Sequence, residues 1–252
     1  QIVYWSRLPS WKNQTLTPNP DVIYLMPFYD TRNGPVVLEI PPAEDGSTIT
    51  GSVDDGWQTA IEDVGPAGVD KGKGGKYLIL PPGHDGKVPA GYIPMPSSTY
   101  TGYALLRSNI GNGSEQDIAK AAEYGRRVKL YPYSQAANPP ETKFVDAIDV
   151  EFDATIPYDE RFFQALKRFV DREPWIDRDR AMIDPLRTLG IEKGKPFNPD
   201  AKTEQQLKSA IAEAHGWLQA KYDAAFEPYF PGGRWAVPAS PEAIEGLQTN
   251  YA

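Results

Sequence analysis

The sequence VIYLMPFYDTRNGPVVLEI, residues 22–40, contains two apolar runs separated by a turn signal. The first run, Val22 to Tyr29, is rich in β-branched and aromatic residues, which are typical of strands. Gly34-Pro35 then interrupts the chain before a second β-branched run, Val36 to Ile40. Both runs are shorter than an ordinary helix, so the stretch predicts two strands joined by a turn.

Short strands of the same kind continue as far as Arg107. Ser47 to Val53 alternates between polar and apolar residues, which indicates a half-buried strand. Lys76 to Leu80 is a compact apolar strand that ends at two prolines, and Val88 to Met95 is expected to return beside it as a hairpin. Thr99 to Arg107 closes the series. Several short strands separated by turn signals predict an antiparallel sandwich or barrel, not βαβ units.

The second half of the chain changes to a helical period. Helices are predicted from Ser114, from about Asp159 and from Thr203, where a capping-box pattern begins. The last helix has an apolar stripe at helical spacing, formed by Leu207, Ala210, Ile211, Ala214, Trp217, Leu218 and Tyr222. The predicted fold class is therefore α+β. A β-sandwich is expected over residues 1–135, followed by a mainly helical part and a C-terminal tail over residues 136–252.

The composition limits the classes of function. Acidic residues outnumber basic ones by 34 to 26, which gives a net charge of −8, so the basic footprint of a nucleic-acid-binding protein is missing. No apolar run approaches the roughly 20 residues of a membrane-spanning helix, so a soluble chain without membrane insertion is predicted. The sequence has no cysteine, which excludes disulfides, thiolate metal sites and a cysteine nucleophile.

Five motifs are characteristic when taken together: Pro18–Tyr24, Gly34–Leu38, Glu62–Gly68, Lys71–Gly83 and Leu189–Phe197. Together they resemble the domain of unknown function 1254 family. The resemblance implies jelly-roll-like β parts and a periplasmic or secreted location. It also implies a signal peptide and a following domain, of the domain of unknown function 1214 family, both outside the present sequence. It carries no established activity.

Familiar catalytic motifs do not assemble in the sequence. A Gly-x-Ser-x-Gly elbow is missing, and His84 lies in a glycine-flanked turn, so a Ser-His-Asp hydrolase has little support. The glycine-rich stretch Lys71–Lys76 departs from the phosphate-loop spacing, so its glycines are interpreted as shaping a loop before a strand. Asp149, Glu151 and Asp153 alternate along the chain and are interpreted as a solvent-facing row, not a metal site.

One polar group stands out as a candidate ligand site at the end of the predicted sheet. Its members combine carboxylates, an amide, a guanidinium and aromatic rings: Asn19, Asp21, Tyr24, Asp54, Trp57 and Arg107. A carboxylate that opens an apolar strand needs a donor or a cation unless it remains at the rim of the sheet, and Arg107 is the cation expected to pair with Asp21. The alternative is that Asp21 only satisfies the backbone of its turn.

Two classes of function follow from these residues. The preferred one is a small-molecule-binding or structural module that uses the β-sandwich, with a homo-oligomer left open. The alternative is a hydrolase-like enzyme whose acid–base pair consists of carboxylates such as Asp21 and Asp54, completed by the second domain. No cofactor and no metal are expected, and the catalytic residues are not identified.

Overall fold

The computed structural model describes residues 1–15, 19–226, 228–233 and 235–236. The chain divides into two compact units. The first comprises residues 1–155 and 169–189, and the second comprises residues 156–168 with the described residues from 190 onward. The expected division near residue 135 stays a prediction.

The first unit is a sandwich of two β-sheets. Its described strands are β1 (Ile2–Tyr4), β2 (Val22–Asp30), β3 (Val36–Ile40), β4 (Ile49–Asp55), β5 (Ala60–Val64), β6 (Gly75–Leu80), β7 (Tyr92–Pro96), β8 (Thr101–Asn109), β9 (Lys129–Pro132) and β10 (Phe144–Asp146). One sheet has the order β10-β1-β2-β8-β4-β5, and the other has the order β7-β6-β3-β9. The predicted α+β class with a β-sandwich is confirmed.

Most neighbouring strands are antiparallel, but two pairs are parallel: β1 with β10, and β6 with β7. The hairpin expected from Lys76 to Met95 is therefore wrong. A hairpin needs only a tight turn, whereas residues 81–91 between β6 and β7 are long enough for the chain to cross back and start again at the same end.

Apolar side chains from both sheets form the core. Its members include Leu25, Leu106, Leu38, Tyr77 and Met95, each with essentially no exposed surface. Burying a side chain of this size stabilises the fold by about 1.5–3 kcal/mol. Because neighbouring residues of a strand point to opposite faces, this core fixes which residues of the six-stranded sheet face away from it.

Helix α1 (Glu115–Gly125) begins as predicted. Ser114 is its N-cap and accepts a hydrogen bond from the backbone N–H of Asp117. The helix buries Ala121 and Ala122 against Ile23 of β2, in a small cluster of its own. It covers one end of the β2–β8 pair.

The glycine-rich block shapes the backbone, as predicted. At Gly74, with φ of 68°, a Cβ atom would lie 2.5 Å from the carbonyl oxygen of Ile40, so a larger residue would collide with the main chain. The buried carboxylate of Asp70 accepts a 2.6 Å hydrogen bond from the N–H of Gly65 and so ties the loop together. Gly74 and Asp70 therefore have a structural role in shaping this loop.

The other helices are α2 (Glu160–Arg172), α3 (Arg180–Ile183) and α4 (Ala201–Ala224). The N-cap predicted at Thr203 is wrong, because Asp200 caps α4 and accepts the N–H of Thr203. Leu207 and Ile211 are buried, whereas Trp217 farther along the predicted stripe is exposed. Only the first half of α4 therefore uses its apolar stripe for packing.

Aromatic side chains remain exposed at the end of the described chain. Tyr229, Phe230 and Trp235 are each mostly in contact with solvent, and Phe226 is partly buried. Val237 lies outside the described residues. In the part of the chain that can be described, no helix has the length and apolar character of a membrane span.

Candidate functional site

The face of the six-stranded sheet that points away from the core is called the outer face here. At one end of it, Tyr24 pairs with Arg107, which pairs in turn with Thr50. At the other end, Phe28 pairs with Tyr103, which pairs with Asp54. The intervening core-facing residues of β2 and β8, and Val53 of β4, are buried, which matches the alternation.

The structure places three of the predicted site residues, Tyr24, Arg107 and Asp54, on this single face. It does not bring all six together. Asn19 and Asp21 lie at the Tyr24 end, whereas Trp57 follows Asp54 at the opposite end. Tyr103 and Arg107, which mark the two ends, are four positions apart on β8, a distance of about 13 Å along a strand.

The polar groups at the Tyr24 end are occupied by local contacts. The N–H of Asn19 donates a 2.8 Å hydrogen bond to the hydroxyl of Tyr24, and the side-chain oxygen of Asn19 accepts the N–H of Asp21 at 2.8 Å. Arg107 lies over the Tyr24 ring, 5.7 Å from its centre. The expected ion pair is wrong, because Asp21 is exposed and no contact joins it to Arg107 among the described residues. Asp21 instead takes part in a turn.

Asp54, at the opposite end, differs from the residues at the Tyr24 end because its side chain makes no local hydrogen bond among the described residues. It is only 9% exposed, and no hydrogen-bond donor reaches its carboxylate in the described part of the chain. Burial raises the pKa of Asp54 to about 6, and the neighbouring carboxylates of Asp55 and Asp63 add to this effect. Arg107 acts in the opposite direction, across the outer face.

The backbone of Asp54 is held firmly even though its carboxylate is not bonded. Its carbonyl oxygen accepts a 2.9 Å hydrogen bond from the hydroxyl of Tyr29, which is buried in the core-facing layer. The rings of Phe28 and Tyr103 stack beside it, with centres 6.0 Å apart. Burial raises the pKa of the Tyr103 hydroxyl, and the negative charge of Asp54 raises it further. Asp54 is therefore a fixed carboxylate at the edge of an aromatic surface.

The turn after β4 is organised by Asp55. Its carboxylate accepts the N–H groups of Trp57 at 2.8 Å and Thr59 at 3.0 Å, and also the hydroxyl of Ser98. The ring of Trp57 packs edge-on against Phe169, with centres 4.3 Å apart. Asp55 and Trp57 therefore have evident structural roles, although the indole N–H of Trp57 has no partner among the residues that the structure describes.

A cleft of about 520 Å³ opens beside the stacked rings. Phe28, Tyr103 and Phe169 form its aromatic part, and Arg32 and Arg172 contribute guanidinium groups. The carboxylate of Asp30 binds Arg32 in a fork of hydrogen bonds. Arg172 has no ion pair among the described residues. The cleft has the size and mixed character of small-molecule sites.

The other candidate motifs do not converge on a site. Asp149 pairs with Arg7 and Glu151 pairs with Lys12, each exposed, which agrees with a solvent-facing row. In the described ranges, no group of three or more His, Cys, Asp or Glu side chains is arranged to hold a metal ion. His215 stacks on Tyr158, with ring centres 3.9 Å apart, and so has a packing role.

A family model for a "Protein of unknown function (DUF1254)" matches residues 1–132. The chain belongs to the DUF1254 family. The match covers β1 to β9 and includes the glycine-rich block and the outer face. The predicted resemblance to this family is therefore confirmed. No protein with a curated description matches the chain.

A solved structure shares the fold of this DUF1254 chain. It is the VPA0106 protein from Vibrio parahaemolyticus, with a TM-score of 0.62 and 17% sequence identity. The match covers 85% of the present chain and 52% of the Vibrio chain. The chain thus spans about half the length of that structure, and the likeness concerns the fold alone.

Sequence reasoning missed the aromatic part of the cleft. Phe28 and Tyr103 lie on predicted strands, but their contact depends on the register of β2 against β8. Phe169 and Arg172 come from α2, far away in the sequence. The alternation of Tyr103, Leu105 and Arg107 was the available signal, since it places all three on one face.

Proposed function

We propose that this DUF1254 chain binds a small molecule in the cleft beside Asp54, Phe28 and Tyr103. The observation that supports the proposal most strongly is the aromatic cleft itself, which Phe28, Tyr103 and Phe169 line. Asp54 does not line the cleft, but it is the neighbour of Tyr103 across β4 and β8, and its carboxylate has no hydrogen-bond donor among the described residues. A molecule that extends from the cleft past Tyr103 would bring donor groups to this partly desolvated carboxylate.

The chemistry of the cleft defines the class of ligand. Stacked aromatic rings favour a flat or ring-shaped body, and a carboxylate favours hydroxyl or amine groups that donate hydrogen bonds. The guanidinium of Arg172 provides donors at the rim. We therefore infer a ring-shaped ligand that carries hydrogen-bond donors, such as a sugar or a cyclic amine.

The test compares the two ends of the outer face. Ligands that co-purify with the protein are identified by native mass spectrometry, and a library of sugars and cyclic amines is screened by titration calorimetry. Asp54→Asn is expected to weaken binding about tenfold or more, because it removes a charge-assisted hydrogen bond. Asp21→Asn, at the other end, is the matched control and should bind normally. Equal loss in both variants, or none in Asp54→Asn, would contradict the proposal.

The pKa of Asp54, raised to about 6, also favours a second candidate function, acid–base catalysis. Asp21 is not a suitable partner, because it lies opposite Ile110, about 23 Å along β8 from Asp54. Asp63 on the neighbouring strand is the nearer carboxylate. Hydrolysis of nitrophenyl glycosides with a rate that depends on a group of pKa near 6, and that Asp54→Asn abolishes, would favour this function over binding alone.

We further propose a periplasmic or secreted location and a following DUF1214 domain, both on the strength of the family resemblance. Cell fractionation of the full-length protein tests the location. Light scattering of the same protein tests whether it forms a homo-oligomer. Recovery in the cytoplasmic fraction would exclude the proposed location.

A further inference from the structure

A second groove, of about 700 Å³, opens at the edge of the sandwich. The outermost strand of each sheet borders it: β9 contributes Lys129, and β10 contributes Phe144. The half-buried ring of Phe144 provides apolar surface, and two pairs of prolines provide rigid apolar walls: Pro41-Pro42 and Pro139-Pro140. The groove shares no residue with the cleft beside Asp54.

Arg126 is placed at this groove, directly after the end of α1. Its guanidinium lies 5.9 Å from the centre of the Tyr4 ring and 5.8 Å from the centre of the Phe144 ring. These two rings pack edge-on against each other, with centres 5.6 Å apart. Contact with both rings restricts the guanidinium without using its N–H donors in hydrogen bonds.

The neighbouring cations differ from Arg126. Arg127 is paired with Glu44 and lies over the Tyr124 ring, and Lys129 is paired with Glu39 at 3.1 Å. Arg126 has no carboxylate within ion-pair distance among the described residues. It is therefore a positioned cation whose donor groups are open to a ligand in the groove.

We propose that this groove binds an organic monocarboxylate with an apolar body. The planar fork of Arg126 matches a carboxylate, and the surface formed by Phe144 and the two pairs of prolines matches an apolar body. Glu123 and Glu141 also line the groove. Their charge disfavours a polyanion such as a nucleotide, which would be repelled by both.

The probe for this site is phenylacetate, titrated into isotope-labelled protein and followed by NMR. Phenylacetate is expected to shift the backbone signals of residues 126–129 and 139–144. Benzyl alcohol, which has a similar body without the charge, should bind at least tenfold more weakly, and so should inorganic phosphate. This comparison uses the unaltered protein and so does not depend on the folding of a variant. Equal binding of benzyl alcohol or of phosphate would overturn the proposal.

Variants of the two adjacent arginines provide a matched pair. Arg126→Gln is expected to weaken phenylacetate binding about tenfold or more, since it removes a charge-assisted fork. Arg127→Gln, which changes a residue of the same groove that is already paired with Glu44, should retain binding within about twofold. Loss in both variants, or retention in Arg126→Gln, would contradict the assignment. Thermal unfolding of both variants verifies that they fold.

Discussion

Two buried carboxylates at the same end of the outer face have opposite surroundings. Glu173 is 3% exposed and accepts the N–H groups of Tyr100 at 2.6 Å and Thr101 at 3.2 Å, together with the hydroxyl of Thr101. Asp54, on the strand next to β8, is 9% exposed as a residue, but its carboxylate oxygens keep some contact with solvent and receive no hydrogen bond from the described residues. The carboxylate of Glu173 satisfies the backbone N–H groups at the start of β8, whereas the carboxylate of Asp54 satisfies no donor of the described chain.

The difference separates structural from functional interpretations of a buried charge. Removing a carboxylate that satisfies backbone donors leaves those donors unpaired and destabilises the fold. Removing one without donors relieves a desolvation penalty and stabilises the fold. A residue that lowers the stability of the fold is therefore a candidate functional residue, because its presence has no structural benefit.

The largest effect is expected for Glu173→Ala. The variant leaves the N–H groups of Tyr100 and Thr101 without their acceptor, so the free energy of unfolding should fall by about 2–4 kcal/mol. Urea denaturation followed by tryptophan fluorescence measures the change. Glu173→Gln retains an acceptor and should lose less. A loss below about 1 kcal/mol in the alanine variant would remove the contrast between the two carboxylates.

An effect of opposite sign is expected for Asp54→Asn. Because the folded-state pKa of Asp54 is raised from 3.8 to about 6, the folded protein binds the proton more tightly than the unfolded chain. The free energy of unfolding of the unaltered protein should therefore fall as the pH rises from about 4 to about 6, and stay low above that. Asp54→Asn should remove this dependence and gain about 1 kcal/mol at pH 7, after allowance for its own unpaired amide.

Denaturation curves at pH 4, 5, 6 and 7 measure this dependence directly. The control is Asp55→Asn, which alters a carboxylate that accepts hydrogen bonds from Trp57 and Thr59. This control should be less stable than the unaltered protein at pH 7. If Asp54→Asn is destabilised in the same way, Asp54 has structural partners and the contrast with Glu173 fails.

Much of the fold could be predicted from local patterns. The runs at Val22–Tyr29 and Val36–Ile40 are long and apolar enough to identify β2 and β3, and Ser114 identified the start of α1. The shortest strands, such as β1 and β10 with three residues each, carry too little pattern to be recognised. The parallel pairing of β6 with β7 could not be predicted either, because it depends on contacts across the sheet and not on the sequence of either strand.

The candidate site was predictable only in part. Tyr24, Asp54 and Arg107 were selected for their chemistry, and the structure does place them on one face. Their separation into two ends depends on the strand register, which single-sequence patterns do not provide. The unpaired state of Asp54 could not be predicted either, because it depends on the absence of donors from every element around it.

The smallest effect is expected for Arg107→Gln, which tests whether the two ends of the outer face influence each other. Arg107 lowers the pKa of Asp54 and is the smallest of the causes that shift it, since the backbone of Arg107 lies about 13 Å along β8 from the strand partner of Asp54. Removing its charge should raise the pKa of Asp54 by a few tenths of a pH unit.

NMR titration of the Asp54 carboxyl carbon measures this pKa in both proteins. In 1 M salt the difference should largely vanish, because the screening length is then about 3 Å. Arg126→Gln, which removes a charge beside the other groove, is the control and should leave the pKa unchanged. An unchanged pKa in Arg107→Gln would mean that the Tyr24 end and the Asp54 end are electrostatically independent.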